Sequence, residues 1–158
     1  IMTPTRQQLV LCAALGSALL LGGAFVFQLL GYAPCKMCIW QRYPHAAAIV
    51  LGALAFFVPL PALIALGALA ALTTAGIGGY HMGVEQGWWE GPTSCSAGAI
   101  DNMDPDALFD QIMAAPLIRC DEIAWQLAGL SMAGWNMVIS LVLAGLWIAA
   151  LRVRPTSA

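Results

Sequence analysis

Four long stretches of the chain are nearly continuous runs of apolar residues, and most polar residues lie between them. The runs cover about residues 9–30, 40–58, 62–80 and 130–151. An α-helix needs about 20 residues to cross the hydrocarbon core of a bilayer, and each run approaches that length. We therefore predict four transmembrane helices. An even number of spans places both chain ends on the same side of the membrane.

Prolines delimit the second run. Pro59 and Pro61 lie in a very short link, so the second and third helices are predicted to be antiparallel neighbours. A helix that began only after Pro44 would be too short to cross, so we expect it to begin near Trp40 with Pro44 in its first turn. Small residues recur at four-residue spacing on these two helices, which favours close helix contact in lipid: Ala55, Gly67, Ala71 and Ala75.

The composition agrees with a membrane protein. The 158 residues are 61% hydrophobic and 9% charged, whereas soluble domains have about 25% charged residues. So short a chain cannot bury that much apolar surface in its own core, which excludes an ordinary soluble enzyme. Six basic residues against eight acidic ones give no surface for nucleic acid. The expected fold is an all-α, four-transmembrane-helix bundle in a single integral membrane domain, residues 1–158.

The four spans leave two loops on the side opposite the chain ends. A short loop covers about residues 31–39 and a long loop about 81–128. Within the long loop, Asp104 and Pro105 are typical of a helix N-cap and first turn. The short helix that follows is expected to lie on the membrane surface or to pack against the protein's own helices. Its apolar face ends before Pro116 and contains Leu108, Phe109, Ile112 and Met113.

Four of the five cysteines lie in these two loops. Cys35 and Cys38 are in the short loop, and Cys95 and Cys120 are in the long loop. Disulfides persist in oxidising compartments, so the loops are expected to face the periplasm or another extracytoplasmic space, with the chain ends in the cytoplasm. The basic residues divide evenly between the two sides and do not set the orientation. Cys12, within the first run, is interpreted as a small buried apolar residue.

Cys35 and Cys38 form a C-x-x-C motif that indicates redox chemistry. A disulfide that closes so small a ring stabilises a fold only slightly, whereas closely spaced pairs with a lowered pKa are typically redox-active. For Cys95 and Cys120, a purely structural disulfide remains an alternative. A zinc site is disfavoured, because the separation of Cys95 from Cys120 exceeds that of zinc fingers.

Arg42 is a candidate for the same site. The N-terminal end of the second helix favours a thiolate at Cys38, and Arg42 follows four residues later on the same helix face. A cation near the bilayer marks a functional site, with a side chain that reaches to the interface as the alternative. The sequence has no haem, dinucleotide or phosphate-binding motif, so we expect a lipid-soluble quinone as the electron acceptor. His81 is a candidate donor to a quinone carbonyl, with an ordinary interfacial histidine as the alternative.

Two motifs resemble the DsbB family of disulfide bond formation proteins. The first is Pro-Cys-x-x-Cys-x-x-Gln-Arg at residues 34–42. The second is Cys-x-Glu-x-x-Trp-x-x-x-Gly-Leu-x-Met-x-x-Trp, from Cys120 to Trp135. The resemblance implies a bacterial inner-membrane thiol:quinone oxidoreductase that reoxidises a periplasmic thiol oxidase of the DsbA type.

The resemblance also implies a role for each cysteine of the two loops. Cys95 would be attacked by the partner's thiolate to give a mixed disulfide. Cys120 would pass the oxidising equivalent by exchange with Cys35. Cys38 would lie beside the quinone as a thiolate. Residues 87–110 match no pattern, so the docking of the partner stays open.

The same resemblance assigns the residues around the quinone. Arg42 would stabilise the thiolate and the quinone, and His81 would lie near the quinone ring. The cofactor would be ubiquinone or menaquinone, drawn from the pool in the membrane lipid.

Two other classes of protein are weighed against this interpretation. A quinone-coupled enzyme like vitamin K epoxide reductase is expected to carry its redox C-x-x-C late in the chain, whereas Cys35 and Cys38 come early. A non-enzymatic four-helix membrane protein with a structural loop disulfide predicts no role for Cys35 and Cys38.

Overall fold

The computed structural model describes residues 4–92, 95, 104–114 and 118–153. The elements that it contains are α1 (Arg6–Leu29), α2 (Lys36–Phe57), α3 (Pro61–Glu85), α4 (Pro105–Ala114), β1 (Gln126–Leu127), β2 (Leu130–Ser131) and α5 (Met132–Arg152). The predicted all-α class is therefore confirmed. By length and hydropathy, three of the described helices qualify as membrane spans, namely α1, α3 and α5.

Side-chain caps fix where three of the long helices begin. Thr5 and Gln8 form a reciprocal capping box at the start of α1. The Cys35 thiol accepts a hydrogen bond from the Cys38 backbone N–H at the start of α2. The Ser131 hydroxyl caps α5 in the same way. Each cap satisfies a backbone donor that a helix start leaves without an intrahelical partner.

The cap at Cys35 corrects the predicted start of α2. The helix begins at Lys36, ahead of the predicted Trp40, so Pro44 lies in the helix interior and its predicted place in the first turn is wrong. Apolar residues define where the hydrophobic run begins, but the cap defines where the helix begins. The redox motif is consequently part of a helix start rather than of a free loop.

Two further boundaries differ from the prediction. Helix α3 continues beyond residue 80 to Glu85, which places His81 on a helix instead of in the long loop. Helix α5 begins at Met132, because the two residues before it pair with β1 in a hairpin. The hairpin turn uses Ala128 and Gly129, both with positive φ, as a tight two-residue turn requires.

The long helices pack in antiparallel fashion around a core of small residues. Helix α1 contacts α2 and α5, and α3 contacts the same two helices. Arg6 Nε donates to the carbonyl oxygens of Ala150 and Val153, each at 3.1 Å, which joins the start of α1 to the end of α5. The loops that carry the redox motif therefore lie at the opposite end of the helices. The predicted small contact residues are buried: Ala55, Gly67, Ala71 and Ala75.

The close approach of the Trp147 ring to α3 explains why residue 67 is a glycine. Trp147 is fully buried. A Cβ atom at Gly67 would lie 2.7 Å from the Trp147 ring, so any larger residue there would displace the ring. Contacts of this kind are typical of helices that associate in lipid.

Cys12 does not lie in the core. Its side chain is exposed on α1, and the prediction of a buried residue is wrong. Leu15 and Leu19 are 54% and 77% exposed and share its helix face, which points away from the other helices. The sequence shows that Cys12 lies in an apolar run but not which way that face points.

The short helix of the long loop has the predicted start. The Asp104 carboxylate accepts from the backbone N–H groups of Asp106 and Ala107. On its apolar face, Phe109, Ile112 and Met113 are 62%, 61% and 71% exposed. This face is therefore not packed against the protein's own helices, which was one of the two alternatives.

Candidate functional site

The two sulfurs of the C-x-x-C motif are in contact at the start of α2. Cys35 Sγ and Cys38 Sγ lie 2.7 Å apart. Cys35 is buried and Cys38 is partly exposed. The first turn of a helix thus holds both thiols in the proximity that disulfide formation requires.

The two thiols differ in acidity. Both lie outside the predicted membrane span, which begins at Trp40. The hydrogen bond to Cys38 and burial raise the pKa of Cys35. The hydrogen bond from Cys35 lowers the pKa of Cys38, and the charge of Arg42 contributes in the same direction. Cys38 is therefore the more acidic member of the pair, as the helix N-terminus predicted.

Cys38 is expected to be alkylated before Cys35 in the reduced protein. A lowered pKa increases the thiolate fraction at any given pH, and the thiolate is the nucleophile. Below its pKa of about 8.5, an ordinary thiol loses about tenfold in rate per pH unit. Between about pH 8.5 and pH 7, iodoacetamide labelling of Cys38 is expected to slow much less than labelling of glutathione in the same tube. Peptide mass mapping measures both rates, and earlier labelling of Cys35 would contradict the assignment.

The second cysteine pair lies directly beside the first. Cys95 and Cys120 form a disulfide with a Cα–Cα distance of 5.3 Å. Both are fully buried, and they belong to one buried cluster with Cys35 and Val84 against which Cys38 packs. Cysteines from two separate loops therefore meet at one end of the helices.

An ion pair flanks Cys120. Arg119 donates to both carboxylate oxygens of Asp121. The Arg119 guanidinium holds the pKa of the Asp121 carboxyl below its usual value. Because Arg119 is 40% exposed, solvent screens the pair and its contribution to stability is small.

His81 connects the two cysteine pairs. Its Nε2 lies 3.6 Å from Cys35 Sγ and 3.1 Å from the carbonyl oxygen of Cys120. Its Nδ1 lies 3.0 Å from the side-chain nitrogen of Gln41. The amide oxygen of Gln41 accepts from Asn136 at 2.7 Å, so the amide N–H of Gln41 faces His81. His81 Nδ1 is then an acceptor, and Nε2 carries the proton and donates to Cys120.

This tautomer disfavours a metal site. The ligand atoms of Cys35, Cys38 and His81 lie within 4.8 Å of one another, close enough to surround an ion. A metal requires the lone pair of a ring nitrogen, but Nε2 carries a proton because Gln41 occupies Nδ1. The three groups are instead arranged for hydrogen bonding and thiol chemistry.

A cavity of about 440 Å³ opens beside Cys38 and Arg42. Its walls are mostly apolar side chains of α1, of α5 and of residues 32–34 and 118–127, whereas α2 contributes polar side chains. Its volume falls within the range of about 300–1,000 Å³ usual for small-molecule sites. The polar side chains among its lining residues include Cys35, Cys38, Gln41, Arg42, His81 and Glu85. The cavity therefore offers an apolar molecule direct access to the Cys38 sulfur.

The Arg42 guanidinium is fixed against α1, and its Nε–H has no hydrogen-bond partner among the described residues. Its terminal nitrogens donate to the Gln28 side chain at 2.8 Å and to the Ala24 carbonyl at 3.5 Å. Its central carbon lies 4.8 Å from the centre of the Phe25 ring. Its Nε is also buried. A carbonyl oxygen in the cavity would satisfy that donor.

The structure thus brings all six predicted site residues to one end of the helices. Four further residues of the site were not predicted from the sequence: Gln28, Gln41, Glu85 and Asn136. Asn136 carried a signal, because a lone polar residue in an apolar span marks function. Glu85 lies four residues after His81, which places both on one face once α3 is known to continue. Gln28 carried the same signal as Asn136, because it is the one amide side chain in the first apolar run.

Comparison with known proteins identifies the family. The family model for disulfide bond formation protein DsbB matches residues 6–150. Relatives named disulfide bond formation protein B include one from Verminephrobacter eiseniae, 34% identical over 94% of this chain and 86% of the relative. The relative from Herminiimonas arsenicoxydans is 34% identical over 87% and 90% of the two chains, and that from Pasteurella multocida 32% over 88% and 85%. No solved structure matches the chain.

A family match over nearly the whole chain agrees with both sequence motifs and with three apolar helices long enough to span a membrane. It also decides against the epoxide reductase-like and non-enzymatic alternatives. This chain belongs to the DsbB family of membrane proteins of disulfide bond formation.

Proposed function

We propose that the protein is a thiol:quinone oxidoreductase that generates disulfides. It oxidises a thioredoxin-like periplasmic thiol oxidase of the DsbA type and passes the electrons to a membrane quinone. The contact of His81 Nε2 with both Cys35 Sγ and the Cys120 carbonyl carries this proposal. A merely structural disulfide in the long loop would have no reason to lie against a second, free thiol pair.

The proposal includes a fourth span, α2. From Trp40, where the span is predicted to begin, to the helix end at Phe57, it extends about 27 Å, close to the thickness of about 30 Å of a bilayer core. It packs against α1 and α3, and only three residues, 58–60, connect it to α3. We therefore place four spans in the bacterial inner membrane, with both chain ends cytoplasmic and the cysteine loops periplasmic. The exposed apolar face of α4 then lies on the membrane surface.

Electrons move through a series of thiol–disulfide exchanges. A thiolate of the partner attacks Cys95, forms a mixed disulfide and releases Cys120 as a thiolate. Cys120 then attacks Cys35 of the oxidised Cys35–Cys38 pair, and Cys38 leaves as a thiolate. The second thiol of the partner next resolves the mixed disulfide and releases Cys95, which attacks Cys120 and releases Cys35. Each exchange forms one S–S bond and breaks one, and after all four, two electrons have passed from the partner to the Cys35–Cys38 pair. Because Cys95 is buried, docking of the partner must first expose its sulfur.

The cavity beside Cys38 has the features that a quinone site needs. Apolar walls suit a lipid-soluble ring, and the unpartnered Arg42 Nε suits a carbonyl oxygen. A bound quinone would supply a two-electron, two-proton acceptor. Cys38 would be the electron donor, while Gln28 and Ala24 hold Arg42 in place. Ubiquinone and menaquinone both have a ring carbonyl group that this donor would recognise.

Quinone reduction by the purified protein tests the proposal. With a reduced thioredoxin-like dithiol protein and ubiquinone, we expect one quinone to be reduced for each dithiol oxidised, measured from quinone absorbance and thiol titration. The same partner with alkylated thiols provides the control. A single-cysteine partner is expected to be trapped on Cys95, as mapped by peptide mass spectrometry. Absence of quinone reduction contradicts the proposal, and trapping on Cys120 reverses the roles of those two cysteines.

A further inference from the structure

Glu85 is a buried acidic side chain at the redox site that the proposed exchange steps do not use. It is the last residue of α3, and its side chain is 5% exposed. One carboxylate oxygen lies 3.8 Å from His81 Nε2. The other is buried and has no hydrogen-bond partner among the described residues. An ionised carboxylate in such surroundings lacks most of the stabilisation that water would give it.

The Ser131 hydroxyl hydrogen-bonds to the Glu85 carboxylate but is neutral, and the charged and titratable groups around Glu85 leave its charge largely uncompensated. His81 is neutral, because its Nδ1 accepts from Gln41. The terminal nitrogens of Arg42 donate towards α1 instead. A Cys38 thiolate and the Glu85 carboxylate act against each other, because both carry negative charge in one cavity. The titratable groups that line this cavity with Glu85 are Tyr32, Cys35, Cys38, Arg42, His45, His81, Arg119 and Glu122.

We propose that Glu85 takes up a proton when the Cys35–Cys38 disulfide is reduced and releases it when the disulfide forms again. The proposal rests on the proposed function, because it requires this pair to cycle. Reduction creates a thiolate at Cys38, and two like charges in one buried site do not both stay ionised. Since Cys38 keeps its charge with the help of Cys35, the carboxylate of Glu85 is the group that is protonated.

Reduction of the Cys35–Cys38 disulfide by a dithiol conserves both protons and electrons. A reducing dithiol gives up two electrons and two protons and becomes a disulfide. The S–S bond between Cys35 and Cys38 breaks and accepts the two electrons. One proton stays on Cys35 as a thiol, the other protonates Glu85, and Cys38 is left as the thiolate. Without Glu85, the second proton would pass to the solvent.

This arrangement stores protons next to the electron donor. Two-electron reduction of a quinone consumes two protons, and the reduced site then holds that number, on Cys35 and on Glu85. Proton supply would not depend on water entering an apolar cavity. Glu85 thereby couples the protonation of the site to its redox state.

The pH dependence of the Cys35–Cys38 redox equilibrium tests the assignment without any quinone. The full-length protein is equilibrated in redox buffers of known potential between about pH 6 and pH 8. Differential alkylation and peptide mass spectrometry then read each cysteine pair separately. For the wild type, we expect the equilibrium constant for reduction to change about 100-fold per pH unit, which corresponds to about 59 mV. For Glu85→Gln, we expect the equilibrium constant for reduction to change about tenfold per pH unit, which corresponds to about 30 mV per pH unit.

Two further variants and a check of folding accompany this measurement. Glu90→Gln removes an exposed acidic residue and is expected to keep the wild-type slope, and Glu85→Asp is expected to restore most of it. In every variant, formation of the Cys95–Cys120 disulfide reports that the fold is intact. An unchanged slope in Glu85→Gln overturns the proposal but leaves the proposed function standing. A protein in which Cys35 and Cys38 never form a disulfide overturns both.

Discussion

Replacing Cys38 with serine is expected to reduce quinone reduction by the dithiol partner by a factor on the order of 10³ or more, to the uncatalysed background. Cys38 is the more acidic thiol of the pair and lines the apolar cavity. A serine hydroxyl is close in size, but it neither ionises near neutral pH nor forms a disulfide. The loss therefore reflects missing chemistry rather than a repacked site, and steady-state quinone absorbance measures it.

Cys35→Ser separates the two members of the pair. Turnover is expected to stop here as well, because no disulfide can form. The Cys38 thiolate is expected to remain reactive towards iodoacetamide, since a serine hydroxyl can still donate a hydrogen bond to it. Cys12→Ser is the matched control, because Cys12 lies exposed on α1 and is expected to leave turnover unchanged. A Cys38→Ser protein that still reduces quinone would move the electron donor to another residue.

The helices and the redox motif could be predicted from the sequence because both depend on local patterns. Apolar runs located α1, α3 and α5, and the C-x-x-C spacing identified Cys35 and Cys38. The helix boundaries could not be predicted in the same way, because caps and turns set them rather than hydropathy. Cys35 acts as the N-cap of α2. Sequence patterns for N-caps look for serine, threonine or aspartate and therefore miss a cysteine in this role.

The remainder of the site depends on contacts between distant residues. His81 interacts with Gln41 on α2 and with the Cys120 backbone, across 40 and 39 residues of sequence. Gln41 in turn accepts from Asn136 on α5. Such contacts follow from how the helices are rotated against each other, which apolar periodicity leaves undetermined when helices are hydrophobic all round. The outward-facing position of Cys12 has the same cause.

Replacing Arg42 with methionine is expected to raise the KM for quinone about 10- to 100-fold, with a smaller effect on kcat. The range corresponds to the loss of one hydrogen bond from a charged donor, about 1.5–3 kcal/mol. Arg42 Nε is buried without a partner among the described residues, whereas the terminal nitrogens already donate to Gln28 and Ala24. Methionine keeps the apolar stem against the cavity wall, so the packing of α1 against α2 is largely retained. Initial rates at varied quinone concentration measure both constants.

Two variants distinguish recognition by Arg42 from a general effect of charge. Arg42→Lys keeps the positive charge but has no Nε and no fixed fork of donors, so it is expected to restore little of the lost affinity. Gln28→Ala removes the 2.8 Å contact that positions the guanidinium and is expected to raise KM by a smaller factor. Arg152→Lys, at the opposite end of the helices, is the matched control and is expected to change neither constant. Full rescue by lysine would show that Arg42 acts through its charge alone, and the free Nε would then not be the quinone contact.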